Sequence, residues 1–281
     1  MLHTPKHIPN RSHLMVLLVV ASCLGAACHR TNNELTTTRT DTRLYVLSTQ
    51  IEGEGDFEPT IGFEYSYSLE WPTDALLNPT DQARVAARCF LTDKPMSFDS
   101  AAAFYMETDE EDGLGEMKIV HKLPNCPYYE TKSMQGDMQL GNAWATLIVK
   151  SDITHSLAAH GSYAELYFNM DRDRKQLVEL SDIVDTTHLS TLLLSAIDDV
   201  EENHYLHEAL WEEYATDGLP LAEDFYIDSS HTKLVLVYQQ YAIAAYCYGI
   251  CRLHLPISWL REKRLLTPYA EAVIARQKPT A

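Results

Sequence analysis

Leu234-Val-Leu-Val237 runs into Tyr238-Gln-Gln-Tyr241-Ala-Ile243-Ala-Ala-Tyr246-Cys247-Tyr248, then through Gly249 into Cys251-Arg-Leu-His-Leu255-Pro256. An apolar run of leucine and valine before the tyrosine-rich connection, and a second run ending at Pro256 after it, read as two strands joined by a structured aromatic loop. No carboxylate, histidine, lysine or serine lies within the connection, so it suits packing or binding rather than reaction chemistry. Four tyrosines supply large contact areas with little side-chain entropy to lose.

Working outward, more strands flank this hairpin. Phe225-Tyr-Ile227, Tyr163-Ala-Glu-Leu-Tyr-Phe168 and Ala143-Trp-Ala-Thr-Leu-Ile-Val149 precede it. Phe63-Glu-Tyr-Ser-Tyr-Ser-Leu69 alternates large with small or polar residues, the period of a half-buried strand. Leu44-Tyr-Val-Leu-Ser48 is the first expected strand. Asn78 and Pro79 suit a helix start, with Ala83, Ala86, Ala87 and Phe90 as one apolar stripe. Ser97 to Met106 predicts a second short helix. From Thr186 onward, Leu189, Leu192, Leu193, Ala196, Ile197 and Val200 predict one long amphipathic helix, and Trp259-Leu260 open a short one. Strands beside strands with two or three helices interspersed argue for α+β with an antiparallel sheet.

The amino-terminal residues predict export. Lys6 and Arg11 precede an apolar Leu14-Met-Val-Leu-Leu-Val-Val20, too short to span a bilayer, and Val20-Ala21-Ser22 leads to Cys23. This layout resembles a bacterial lipobox and makes Cys23 the expected lipidation site, with Cys28 as a poorer alternative. Residues 1–22 are then the signal peptide, and 23–43 a polar tether that cannot bury enough surface to offset its own ordering entropy. The rest divides into a module at 44–137, a domain at 138–262 and a tail at 263–281. The expected location is the bacterial cell envelope, at a membrane reached through the lipid.

The chain carries 22 basic and 40 acidic residues, a formal charge of −18. Loss of the signal removes Lys6 and Arg11 and no acid, leaving 20 against 40, or −20. Nucleic acid and anionic lipid headgroups are therefore poor partners, and a cationic partner is attracted. The acidity also serves solubility. Cys89, Cys126, Cys247 and Cys251 allow three complete disulfide pairings in an exported protein. Cys247 and Cys251 would stand about 13 Å apart on a straight strand, beyond the roughly 7 Å limit for a bridge, unless Gly249 turns the chain.

Reaction chemistry has little to rest on. The chain shows no nucleophile elbow, phosphate-binding glycine loop or dinucleotide fingerprint. The acidic run Glu107 to Asp112 lacks the alternating ligands of a calcium loop and reads as solvated. His204, His207, Glu208 and Glu212 match neither zincin order and read as surface residues, so no metal or cofactor is expected. Asp182 is expected to cap a turn. His160, beside Gly161 between two strands, is a candidate ligand contact or a hydrogen-bonded turn residue.

Taken in order, several runs carry a family resemblance: Ala159-His160-Gly161, Leu166-Tyr-Phe-Asn-Met170, Leu180-Ser-Asp-Ile-Val184, the expected helix, Asp224-Phe-Tyr-Ile227, and the tyrosine-rich stretch with Gly249 and Pro256. Together they resemble the RsiV-like domains of unknown function, over about residues 140–262. The resemblance implies an α+β fold without catalysis, found in envelope lipoproteins and anti-sigma-factor ectodomains; in the latter it implies recognition of lysozyme, a cationic wall hydrolase. No apolar segment after the signal is long enough to span a membrane, so a complete anti-sigma factor is not expected. The function expected is an envelope binding protein for a cationic protein or a cell-wall glycan, with His160, Tyr241, Tyr246 and Tyr248 at the ligand. A glycan-acting hydrolase using His160 and nearby carboxylates, and a structural subunit of an envelope complex, are the alternatives.

Overall fold

The computed structural model describes residues 34–50, 57–107, 116–156 and 158–277. Cys23, Cys28 and most of the acidic run from Glu107 to Asp112 lie outside them. The first seven strands are β1 (Thr36–Gln50), β2 (Phe57–Pro72), β3 (Glu116–Val120), β4 (Tyr128–Leu140), β5 (Trp144–His155), β6 (Ser162–Asp171) and β7 (Gln176–Leu177). They form one sheet in the order β3-β1-β2-β4-β5-β6-β7. Every pairing is antiparallel except β2 with β4, which run parallel. A parallel pair needs a long crossover, and here that connection holds β3 and two helices. These are α1 (Pro79–Cys89) and α2 (Phe98–Tyr105).

The alternation in β2 fixes which face they cover. Tyr65, Leu69 and Trp71 are buried with Phe90, Phe98 and Tyr105, whereas Glu64, Ser68 and Glu70 are exposed. Asn78 caps α1 by accepting from the Asp81 N–H, with Pro79 at the first helical position. Ser97 caps α2 in the same way.

Three of the expected boundaries need correction. The tether ends before Thr36, because Thr36 to Arg43 pair in register with Pro72 to Tyr65 as the first half of β1. Five threonines in that stretch favour extended backbone. The ladder to β2, whose other face is buried, supplies the stabilisation that the segment's own side chains lack. The division at 137/138 falls inside β4, so both halves share one sheet. The tail is also part of the core, as shown below.

The second sheet contains β8 (Asp224–Ile227), β9 (Lys233–Tyr238) and β10 (Cys251–Pro256), antiparallel in the order β10-β9-β8. Its helices are α3 (Leu180–Ile183), α4 (Thr186–Ser190), α5 (Leu193–Asp199), α6 (Leu206–Ala209), α7 (Glu212–Asp217), α8 (Ile257–Glu262) and α9 (Pro268–Gln277). The single long helix expected from Thr186 is therefore broken at Thr191-Leu192. Ser190 Oγ donates to the Thr187 carbonyl at 2.8 Å and Thr191 Oγ1 to the His188 carbonyl at 2.7 Å, local bonds that compete with helix continuation. The buried face is nonetheless the expected one: Leu189, Leu193, Ala196, Ile197 and Val200 all face the core. Asp182 closes a capping box with Glu179 at the start of α3.

Leu265, Ala270, Val273 and Ile274 pack into the same core, and Leu266 bridges to Val184. Ala270, Val273 and Ile274, three and four residues apart, make α9 an amphipathic helix where the sequence predicted a tail. Nine α-helices among the described residues replace the two or three expected, and none is long and apolar enough to cross a membrane. The fold is mixed α+β, with one large, mostly antiparallel sheet and a smaller one.

Candidate functional site

The β6 strand explains why the two stretches singled out in the sequence meet. On one side it pairs with β5; on the other, β7 reaches only Met170 and Asp171. The N–H groups of Tyr163, Glu165 and Tyr167 therefore need partners that no strand supplies. Side chains from β8 and from the connection after β9 provide them. Tyr163 donates to Gln240 Oε1 at 3.1 Å, Glu165 to Gln239 Oε1 at 3.1 Å, and Tyr167 to Asp224 Oδ1 at 2.8 Å. Gln239 Nε2 returns a bond to the Glu165 carbonyl at 2.5 Å, so this one amide takes the place of a strand peptide. The Gln239-Gln240 pair thus ties the connection between β9 and β10 to the end of β6 nearest His160.

The chain turns sharply just after this tie. Tyr241 adopts φ 63°, a left-handed conformation that is costly for an aromatic residue, and its side chain is 51% exposed. His160 stacks on Tyr246, ring centres 3.9 Å apart and 21° from parallel. Tyr241 Oη lies 3.3 Å from His160 Nε2. His160 Nδ1 lies 3.0 Å from the Gly161 carbonyl, and Tyr246 Oη donates to the same carbonyl at 3.3 Å. A carbonyl only accepts, so Nδ1 carries the proton, and in the neutral ring Nε2 accepts from Tyr241. The three rings form one aromatic platform at the surface.

Gly161 is required at its position by proximity. A Cβ there would meet the Ile153 carbonyl oxygen at 2.8 Å. Gly161→Ala is expected to cost about 1–3 kcal/mol, because backbone must move to admit it. Urea denaturation checks this, and an unchanged midpoint would show that the β5–β6 loop relaxes freely.

Tyr248 stands apart from the platform. Its hydroxyl donates to the Glu208 carbonyl at 2.9 Å, in a short 3-10 turn that ends at Gly249 with φ 65°. The structure therefore brings together His160, Tyr241 and Tyr246, and places Tyr248 against α6. Cys247 is exposed and Cys251 buried, and all four body cysteines are free.

Beneath the platform lies a buried polar network that the sequence reading missed. Glu165, only 5% exposed, accepts from Tyr163, from Tyr167 at 2.7 Å and from Arg252. Burial is the largest influence on its carboxyl and pushes the pKa up. The hydrogen bonds from Tyr163 and Tyr167 and the charges of Arg252 and Lys150 outweigh it and hold the pKa below the ordinary value. The same environment pushes Tyr163 up to about 12, first through burial and then through Glu165. Asp224 is also buried, and burial pushes its carboxyl up despite the Arg88 guanidinium 2.8 Å away. Further in, Trp144 donates to Thr146, Thr146 to Asn169, and Asn169 to the Phe225 carbonyl, at 3.0, 3.0 and 2.7 Å.

One signal for this network was present. Tyr163, Glu165, Tyr167, Asn169 and Asp171 alternate with Ala164, Leu166, Phe168 and Met170. Such a strand reads as polar toward solvent, whereas here the polar face meets the second sheet. Among the described residues no group of three or more His, Cys, Asp or Glu could hold a metal ion. His204 and His207 both lean on Asp198: His204 Nε2 lies 3.2 Å from its backbone carbonyl, and His207 Nε2 3.2 Å from its carboxylate.

Residues 169–258 match DUF3298, a family described as "Protein of unknown function". The match contains Gln239, Tyr241, Tyr246 and Arg252 but not His160. No curated protein matches the chain. Among solved structures, it is similar to a member of the DUF3298 family from Bacteroides fragilis NCTC 9343. That likeness has 16% identity and a TM-score of 0.53, covering 88% of this chain and 99% of that one. A DUF3298 family protein from Pseudomonas aeruginosa PAO1 gives 13% identity and a TM-score of 0.47, covering 84% and 96%. At this identity the Bacteroides likeness establishes a shared mixed α+β fold.

Proposed function

We propose that this chain is a non-catalytic binding module of the bacterial cell envelope. In this reading it is exported, anchored by lipid on Cys23, and takes a cationic lysozyme-like protein or a cell-wall glycan against the platform of His160, Tyr241 and Tyr246. The observation that carries the reading is the platform itself: three aromatic rings held at the surface by backbone and amide bonds. The partners of His160 are a carbonyl and a phenol, whereas a general base is usually oriented by a carboxylate. Glu165 beneath it is enclosed and ion-paired, which suits a support rather than a proton carrier. The resemblance of the tyrosine-rich stretch to RsiV-like domains favours the lysozyme-like partner, and the charge of −18 favours a cationic one.

Calorimetry with purified lysozyme and with soluble wall oligosaccharides tests the proposal. One of the two should bind, and Tyr241→Ala should weaken it roughly tenfold through loss of an exposed aromatic anchor. Alanine retains the β-carbon, so the left-handed strain and the melting temperature should stay as they are. Absence of binding by either ligand, or full binding by the variant, would refute it.

A further inference from the structure

We infer that a second surface, an acidic aromatic ridge formed by α6, α7 and the far side of the tyrosine-rich connection, docks a basic segment of a protein partner. The inference rests on reading the chain as a binding module but concerns residues outside the platform. Three of the nine exposed large apolar side chains among the described residues lie here: Tyr205, Trp211 and Tyr248. The ridge is stitched to the connection by backbone. Leu210 bridges to Ala244, Trp211 donates to the Ile243 carbonyl at 3.2 Å, and Tyr248 bonds the Glu208 carbonyl. Trp211 is stacked with Tyr214, ring centres 6.2 Å apart, so its exposed ring is held in place.

Charge selects the occupant. Positions 198 to 217 hold eight acidic residues and neither lysine nor arginine. Asp198, Asp199 and Glu202 have internal partners in His207, Lys263 and Lys233. Glu208, Glu212 and Glu213 are exposed and have no ion pair among the described residues. Unpaired carboxylates beside fixed aromatic faces suit guanidinium and ammonium groups, which bond the first and stack on the second. Phosphate-bearing partners are repelled by the same charges. A neutral glycan would use the rings and ignore the carboxylates.

The test uses the purified full-length protein and a fluorescein-labelled arginine- and lysine-rich peptide, read by anisotropy at low and physiological salt. Glu208→Gln, Glu212→Gln and Glu213→Gln together should weaken peptide binding roughly tenfold. A charge-matched control, Glu64→Gln with Asp93→Asn and Asp137→Asn, should change it by less than about twofold, because exposed charges beyond about 8 Å are screened. Trp211→Ala should also weaken it. Equal losses in the two triple variants would reduce the effect to net charge and overturn the ridge, as would unchanged binding in the Gln variant. No peptide binding at all would overturn it too. Lysozyme and chitotetraose, titrated in parallel against wild type and Tyr241→Ala, then tell whether the platform reading falls with it.

Discussion

Replacing Leu193 with alanine lowers the unfolding free energy by about 2–5 kcal/mol. Leu193 has no exposed surface and sits in the core shared by the second sheet and the C-terminal helices. The loss combines the transfer energy of the removed carbons with the cavity they leave. The broken helix places the effect toward the upper end. The five residues of α4 and the seven of α5 are far below the roughly 12–15 that an isolated helix needs, so the segment is held almost wholly by tertiary packing. Ile197→Ala, one turn on and equally enclosed, should behave alike, whereas Leu194→Ala, half-buried, should cost less. Urea midpoints measure all three. An unchanged midpoint for Leu193→Ala would show this face to be solvent-exposed and the core misassigned.

How far such features could be read from the sequence depends on whether they are local. The alternation of Tyr65, Ser66, Tyr67, Ser68 and Leu69 is a property of one strand, and its buried and exposed faces follow directly. Asn78-Pro79 and Ser97 start helices through bonds within four residues, and these too were legible. The break at Thr191 is local but was masked, because the apolar period continues through it while the backbone does not. The Thr36–Arg43 strand depends on β2, nearly thirty residues away, and its own composition resembles that of a tether.

The site divides in the same way. His160, Tyr241 and Tyr246 could be singled out as unusual residues in connections between strands, but nothing local says that they touch. The role of Gln239 and Gln240 was illegible, since two glutamines after a strand look like solvated polar residues until the open edge of β6 is set against them. Asn203 repeats the device on the free edge of β10, accepting from His254 N–H and donating to its carbonyl, both at 2.8 Å. Side-chain amides that replace a missing strand leave no periodic trace in the sequence.

Arg252→Met produces the other large effect, about 3–5 kcal/mol at neutral pH, because it strands the Glu165 carboxylate in a buried site. Arg252 on β10 and Glu165 on β6 join the two sheets, so the loss falls on the contact between them. In the wild type the folded pKa of Glu165 lies below its ordinary 4.5. Its contribution to stability is therefore complete above that value and is lost as pH falls through the depressed folded pKa. Without the guanidinium the opposing influence of burial, already the largest, has less to overcome, and the folded pKa moves up. The stability deficit of the variant should then be greatest near pH 7 and shrink as acidification protonates the variant carboxyl while that of the wild type stays ionised. Denaturant unfolding at several pH values reads this directly. Adding Glu165→Leu to Arg252→Met should restore much of the lost stability at neutral pH, since a buried pair replaced on both sides leaves no uncompensated charge. A deficit constant with pH, or a double variant no better than the single one, would mean that Arg252 stabilises the junction through the packing of its stem alone.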